Sequence, residues 1–398
     1  MPDHSADDLF LQRALDLARQ GIGLASPNPY VGAVIVDAHG TVVGKGIYTY
    51  GGVKHAEILA LREAREKARG ATVYINLEPH AHQGRTPPCT DALIAAGILR
   101  VVASMSDPNP RVSGRGFEQL RNAGIDVKVG GLQAEACKLN EAFARYIRHG
   151  VPLVTLKAAM TLDGKIAPAP ALTSHSLPGT PPGGWITGDA ARAHVHVQRH
   201  ESDAILVGVG TILADDPLLT DRSGKARRRP LLRVILDSKL RLPLQSRLVQ
   251  SAAKGECDGD ILVFSSAGND QKKKDLQARG IRVEQLPPDG NGRPDMRVVL
   301  RRLGELEIIS LMVEGGSAVN GQALVSGIVD KIFLYYAPQI MGDAKAIPFA
   351  AETTFGEKIQ SFATHRLSTR RSRLHRFEDD IAVESYLRDP YEDDAYEH

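Results

Sequence analysis

Cysteine is scarce in this chain: Cys89, Cys137 and Cys257 are the only three in 398 residues, odd in number and widely scattered. That excludes a disulfide framework and points to a reducing compartment. Aromatic residues make up 5% of the sequence, with Trp185 the single tryptophan, and the first half has no basic stripe. A surface that stacks nucleic-acid bases is therefore not expected. Neither sign of charge prevails, and a formal net charge of +2 creates no field to gather nucleic acid or membrane. No apolar run approaches the length that spans a bilayer. The opening MPDHSADDLF is acidic and lacks an apolar core, unlike a signal peptide. A cytoplasmic protein acting on small molecules is the expectation.

What is present is an ordinary globular composition, 42% hydrophobic and 24% charged, in a chain long enough for two domains. DLFLQRALDLARQG has apolar residues at helical spacing and a glycine stop. VGAVIVDAHGTVVGKGIY reads as a hairpin turning at His39-Gly40. Helices follow at HAEILALREAREKARG, PPCTDALIAAGI and GRGFEQLRNAG, strands at ATVYINLEP, LRVVASMSDPNP and IDVKVG, and one closing helix at GLQAEACKLNEAFARYIRHG. Near Gly150-Val151-Pro152 the alternation restarts and runs to a late strand near IAVESYL, which predicts α/β domains at 1–149 and 150–388. APAPALTSHSLPGTPPGG, residues 167 to 184, reads as a loop.

Two stretches carry chemistry. HAE places His55 and Glu57 at a helix start, and LEPHAHQGRTPPC places His80 after a proline and Cys89 at a second helix start. Hydrolytic deamination of an aminopyrimidine needs a water made nucleophilic by a three-ligand zinc ion and a carboxylate that carries its proton. His55, His80 and Cys89 are the candidate ligands, and Glu57, two residues beyond His55, is the candidate proton carrier. The helix dipole is expected to favour the Cys89 thiolate. His82 is a rival ligand on the same loop, or a hydrogen-bonding loop histidine.

With SPNPYVGAVIV and ALIAAGILRVVASMSDPNPRVSGRG, these stretches resemble the deaminase domain of the bifunctional riboflavin-biosynthesis deaminase/reductase family, across almost the whole first half. The resemblance implies a cytidine-deaminase-like three-layer domain with zinc on His55, the residue at 80 and Cys89, and Glu57 as proton shuttle. The sequence departs from that pattern in having His80 for a cysteine, Ala81 for a serine, Gln83 for a histidine, and Tyr48 for a histidine seven residues before His55. Imidazole is a good zinc ligand, and a neutral ligand in place of a thiolate leaves more positive charge on the metal.

In the second half, VEGGSAVNGQAL follows a strand and opens a helix, where backbone N–H groups can approach a phosphate; the glycines alone would also suit a plain turn. GTILADDPLLTDR reads as a short loop, with Asp215-Asp216-Pro217 a turn or helix cap. Arg199 and Arg222 can either clamp a phosphate or form surface ion pairs, and Trp185 by itself reads equally as a core aromatic. Together with LKAAMTLDGKIA, WITG and RVILDS, these motifs resemble the reductase domain of the same family, related in fold to dihydrofolate reductase. The resemblance implies NADPH contacts at Ala159, Trp185, Thr211, Asp215, Ser238 and along Gly316, Ser317, Ala318, Val319, Asn320, Gly321 and Gln322. It implies contacts with a ribose-phosphate substrate at Gly183, Arg199, Leu219, Arg222 and Glu314, with Lys157 beside the reacting sugar.

The resemblance thus implies a two-step enzyme, likewise a homo-oligomer. It would deaminate 2,5-diamino-6-(5-phosphoribosylamino)pyrimidin-4-one with zinc, then reduce the ribosyl group to ribityl with NADPH. The alternative keeps the reductase and reduces the first domain, with its four departures, to a structural partner.

Overall fold

A computed structural model describes residues 6–82, 87–169, 184–253, 259–351 and 367–392. Gln83, Gly183, Cys257 and nearly all of the 167–184 loop lie outside these residues. The described chain up to Gly150, with the stretch Ala226–Arg229, forms one compact unit, and Val151–Lys225 with Pro230–Glu392 forms another.

The first unit runs α1 (Ala6–Arg19), β1 (Gly32–Val36), β2 (Val42–Ile47), α2 (Ala56–Ala64), β3 (Thr72–Ile75), α3 (Cys89–Ala95), β4 (Arg100–Ala103), α4 (Arg115–Asn122), β5 (Asp126–Val129), α5 (Gln133–Leu139) and α6 (Glu141–His149). Its five-stranded sheet has the order β2-β1-β3-β4-β5. β1 pairs antiparallel with β2 and β3, and the remaining pairs are parallel. Every residue of β1 is buried because the pleat turns alternate side chains to opposite covered faces. Val34 and Val36 meet Leu11 and Ala14 of α1 on one face. Ala33 and Ile35 meet Ala60, Leu93 and Leu120 of α2, α3 and α4 on the other. This is the three-layer arrangement implied by the resemblance. Two glycines seat α2 on the sheet: a Cβ at Gly46 would lie 1.8 Å from the Ala56 carbonyl oxygen, and one at Gly44 2.2 Å from that of Ala60. The close approach fixes the start of α2, and hence His55.

The second unit runs β6 (Leu153–Thr161), β7 (Lys165–Ala167), α7 (Asp189–Glu201), β8 (Ala204–Gly208), α8 (Val209–Asp215), β9 (Leu232–Leu236), α9 (Arg247–Ala253), β10 (Ile261–Ser265), α10 (Asp270–Gln277), β11 (Arg282–Gln285), α11 (Met296–Glu305), β12 (Ser310–Val313), α12 (Ser317–Val325), β13 (Lys331–Ala337), β14 (Ile347–Pro348), β15 (Arg370–Phe377) and β16 (Asp380–Tyr386). The nine-stranded sheet has the order β11-β10-β9-β8-β12-β6-β13-β16-β15. It is parallel from β11 to β13 and antiparallel beyond. Apolar clusters cover both faces, one with α11 and α12, the other with α8, α9 and α10. From β6 the chain passes over one strand position to β8, builds outward to β11, and returns to fill the gap with β12. Such a reversal opens a crevice at the carboxyl ends of the strands.

Local expectations needed correction. The closing helix of the first half is two helices, broken at Asn140. The buried Asn140 side chain turns away to brace the Tyr30 backbone, accepting from its N–H at 2.8 Å and donating to its carbonyl at 3.1 Å. The first half of GTILADDPLLTDR is the helix α8 rather than loop.

Candidate active sites

In the first unit the strand end after β3 and two helix starts meet at one point. His55 is the residue before α2, in extended conformation, and Cys89 is the first residue of α3. The His80 carbonyl accepts the Cys89 N–H at 3.0 Å, so one candidate ligand caps the helix that carries another. Cys89 Sγ lies 3.2 Å from both His55 Nδ1 and His80 Nδ1, and the three donor atoms lie within 4.8 Å of one another. A tetrahedral zinc site at ordinary ligand distances has donor separations of about 3.5 Å, so this donor set fits the ion. His82 is exposed and outside this group, stacked edge-on to His80 at 5.2 Å between ring centroids. Tyr48, at the position of a family histidine, makes a T-shaped contact with His55 at 5.5 Å between ring centroids and accepts a hydrogen bond from Asn28 at its hydroxyl at 2.5 Å. Ala81 is half-buried beside the site.

Glu57 is 3% exposed, and burial pushes its carboxyl up despite the nearby His55. Burial, followed by the Glu57 charge, pushes the Cys89 thiol up, opposing the expected pull of the helix dipole. A bound cation, not the short helix, is what would favour the thiolate.

A cleft of about 320 Å³ opens on this cluster, lined by His55, Glu57, His80, His82, Asn28, Tyr50, Asp107 and Asn109 among others. Sequence reasoning missed Asp107 and Asn109; the SDPNP turn was the available signal. Burial, and after it the Glu78 charge, push the Asp107 carboxyl up to about 6 against a backbone N–H from Asn109. The folded chain thus keeps this proton to about 6 whereas the unfolded chain gives it up near 3.8. Stability is therefore lost as pH rises through that window, by up to about 3 kcal/mol. Asp107→Asn is expected to remove this decline, so urea midpoints at pH 4 and pH 7 should differ less in the variant than in the wild type.

In the second unit, several of the family-implied residues in the described chain lie on or just beyond β6, β8, β9 and β12, toward their carboxyl ends. Lys157 and Ala159 lie on β6, Thr211 and Asp215 on α8, and Leu219 and Arg222 in the following loop. Ser238 follows β9, Arg199 lies on α7, and Glu314 follows β12. A Cβ at Gly316 would come 4.0 Å from Thr211 Oγ1, so the turns after β8 and β12 are neighbours. Arg199 grips Glu314 bidentately at 2.7 and 2.9 Å and donates to the Thr220 carbonyl at 3.2 Å; Lys157 Nζ stands 3.7 Å from the same carboxylate. Burial raises Glu314, but Arg199 and Lys157 outweigh it and hold the carboxyl at about 2. Burial and the Arg199 charge lower Lys157. Burial raises Asp215. The buried Leu219 sits in the left-handed region at φ 56°, a strained conformation that clusters at functional sites.

Ser317, the first residue of α12, has a buried hydroxyl without a hydrogen-bond partner among the described residues. An orphaned hydroxyl at a helix start after two glycines fits an anionic cofactor phosphate. Val319 packs into the core, Asn320 donates to the Phe349 carbonyl, and Gln322 braces Asp289 and Pro294. Along α12, the Gly316–Ala318 end is therefore the part left open to a cofactor, since Val319 to Gln322 are buried. Trp185 is 53% exposed, which rules out a core aromatic, and Arg192 lies 5.0 Å from its ring centroid. Arg222 is exposed. Sequence reasoning missed Tyr335, whose buried hydroxyl pairs with His194 at 2.6 Å and whose ring centroid lies 5.8 Å from Lys157 Nζ.

Residues 4–105 match the cytidine and deoxycytidylate deaminase zinc-binding region, and residues 152–371 match the RibD C-terminal domain. The chain is 43% identical over 341 residues to the riboflavin biosynthesis protein RibD of Aquifex aeolicus, covering 86% of this chain and 89% of that protein. It is 40% identical over 353 residues to RibD of Escherichia coli, covering 86% and 90% respectively. The structure of Acinetobacter baumannii RibD superposes with a TM-score of 0.78 at 32% identity, covering 96% of this chain and 98% of that one. The Thermotoga maritima diaminohydroxyphosphoribosylaminopyrimidine deaminase/5-amino-6-(5-phosphoribosylamino)uracil reductase superposes with 0.76 at 35% identity and the same coverage. The match to the zinc-binding region argues against the alternative of a reductase with a merely structural first domain.

Proposed function

From the premise that this chain belongs to the RibD family of riboflavin biosynthesis proteins, we propose how its residues divide the family's two reactions. The protein is a bifunctional enzyme of riboflavin biosynthesis, a zinc-dependent deaminase and an NADPH-dependent reductase. We assign the deaminase to residues 1–149 and the reductase to 150–388. The first step is hydrolytic deamination of 2,5-diamino-6-(5-phosphoribosylamino)pyrimidin-4-one, consuming water and releasing ammonia. Zinc on His55, His80 and Cys89 would supply the Lewis acidity that makes a water nucleophilic at neutral pH. Glu57 takes one proton from the attacking water and delivers it to the ring nitrogen, then takes the second from the newly attached hydroxyl and delivers it to the amine, which leaves as ammonia as the C–N bond breaks. The observation that carries this reading is the convergence of the three donors beside the buried Glu57.

In the second step NADPH would supply a hydride to C1 of the ribosyl group; the bond from C1 to the ring oxygen breaks, that oxygen takes up a proton, and the sugar opens to ribityl. Lys157, Arg199 and Glu314 form the polar floor beneath that carbon, with Leu219 and Arg222 toward the substrate phosphate. Ala159, Trp185, Thr211, Asp215, Ser238 and the Gly316–Ala318 end of α12 face the cofactor. Holding hydride donor and acceptor carbon in register is the protein's contribution.

No helix among the described residues is long and apolar enough to cross a membrane. We place the enzyme in the cytoplasm, a reading supported by the scattered cysteines and small net charge, acting on small molecules; its assembly as a homo-oligomer follows from the family resemblance alone. In the deciding experiment, the purified full chain releases ammonia from the diamino substrate, loses that activity on dialysis against a chelator, and regains it with zinc. NADPH oxidation on substrate already deaminated is unaffected throughout. Ammonia release that survives complete metal removal refutes the assignment.

A further inference from the structure

Deamination as derived above uses one buried carboxylate, Glu57, and leaves a second without a role. Glu78 is 5% exposed on the strand end that continues through Pro79 to His80. A carboxylate taken out of water is costly unless its oxygens are hydrogen-bonded. Here the donors are backbone N–H groups of one segment. Asp107 and Gly114 donate to Oε2 at 3.0 and 2.9 Å, and Gly116 donates to Oε1 at 2.8 Å. That segment joins β4 to α4 and contributes Asp107, Asn109 and Val112 to the wall of the cleft. Its far end lies flat on the same strand end, where a Cβ at Gly116 would come 2.0 Å from the Pro79 carbonyl oxygen. Within the segment, the Asp107 carboxylate accepts from Asn109 N–H at 2.8 Å.

We infer that Glu78 is a positioning residue of the deaminase: its carboxylate ties the substrate-lining Asp107–Gly116 segment to the strand end that presents His80. The inference rests on the deaminase reading above. Glu78 acts through the wall it holds, not on the reacting atoms. A connection of this length has no ladder of its own, so its shape depends on such ties. Charge-assisted bonds from three amides are the strong kind.

Glu78→Gln keeps the volume but turns an amide NH2 toward backbone N–H donors, so at least one tie is lost. In the full-length enzyme this variant is expected to raise KM for ammonia release about tenfold with kcat changed less than about twofold. Zinc content and NADPH oxidation should stay at wild-type levels. Gly114→Ala attacks the other end of the tie. Gly114 has φ 83° with open space around its missing Cβ, so alanine adds backbone strain without a clash. It should move KM in the same direction by a smaller factor, and it decides the matter if Glu78→Gln does not fold. Unchanged KM in the folded variants overturns the inference, as does loss of zinc or kcat with KM unmoved, which would make Glu78 a support of the metal donors alone. A wild-type enzyme that releases no ammonia sinks the deaminase reading and this inference with it, whereas wild-type turnover with unmoved variant KM sinks the inference only.

Discussion

Glu57→Gln is expected to lower ammonia release by about a thousandfold or more, with zinc content and NADPH oxidation intact. The residue is the second of α2, two positions beyond the candidate ligand His55, and is 3% exposed in the lining of the cleft. Glutamine reproduces its shape and most of its hydrogen bonds but cannot take up a proton from the attacking water. The effect should therefore fall on kcat, with substrate affinity nearly unchanged. Metal analysis, ammonia assay and NADPH oxidation on one preparation check all three parts. Substantial residual deamination would shift the proton-carrying role to Asp107, another carboxyl lining the cleft.

Glu314→Ala should do comparable damage in the second unit and should also cost stability. Its carboxylate is buried between Arg199, bound bidentately, and Lys157 at 3.7 Å. Alanine leaves two cations facing each other in a low-dielectric site, a loss of about 3–5 kcal/mol. Hydride transfer should fall by at least about a hundredfold, since the floor beneath the sugar is rearranged. Glu314→Gln isolates the charge. Without the attraction of Glu314, Lys157 is left with burial and the Arg199 charge, both of which lower it further.

The pH dependence has a definite sign. The folded Glu314 carboxyl stays ionised to about 2, below its ordinary 4.5, so the folded state binds fewer protons between these values. Its stabilisation is complete above about pH 4.5 and is lost as the pH falls toward 2, amounting to about 3 kcal/mol. Urea unfolding at pH 7 and pH 3 should show a steeper acid loss in the wild type than in Glu314→Gln. Equal losses would mean the three groups do not form the triad described.

Motifs with a chemical reason for their spacing were legible in the sequence, and so were elements with clear periodicity. GAVIV is a short unbroken apolar run and is a strand covered on both faces; ADDLFLQRALDLAR repeats at helical spacing and is a helix. Less legible was β15, RRSRLHRF, an edge strand whose mostly exposed, charged residues lack the apolar alternation that marks a strand. The break at Asn140 was equally hidden, because its cause is Tyr30, distant in the chain and brought near by folding.

By itself the sequence determined the residue types and their local order: histidine, glutamate and cysteine at helix starts, glycines before a helix that can meet a phosphate, paired charges in short segments. Those are properties of neighbours along the chain, set by spacing and local backbone preference. Only the tertiary structure decided which donors share a point, that His80 and not His82 faces Cys89, that the thiol is pushed up by burial, and that Arg199 is already engaged by Glu314. Distance and desolvation govern each of these outcomes. Both depend on segments far apart in sequence, so no local pattern carries them.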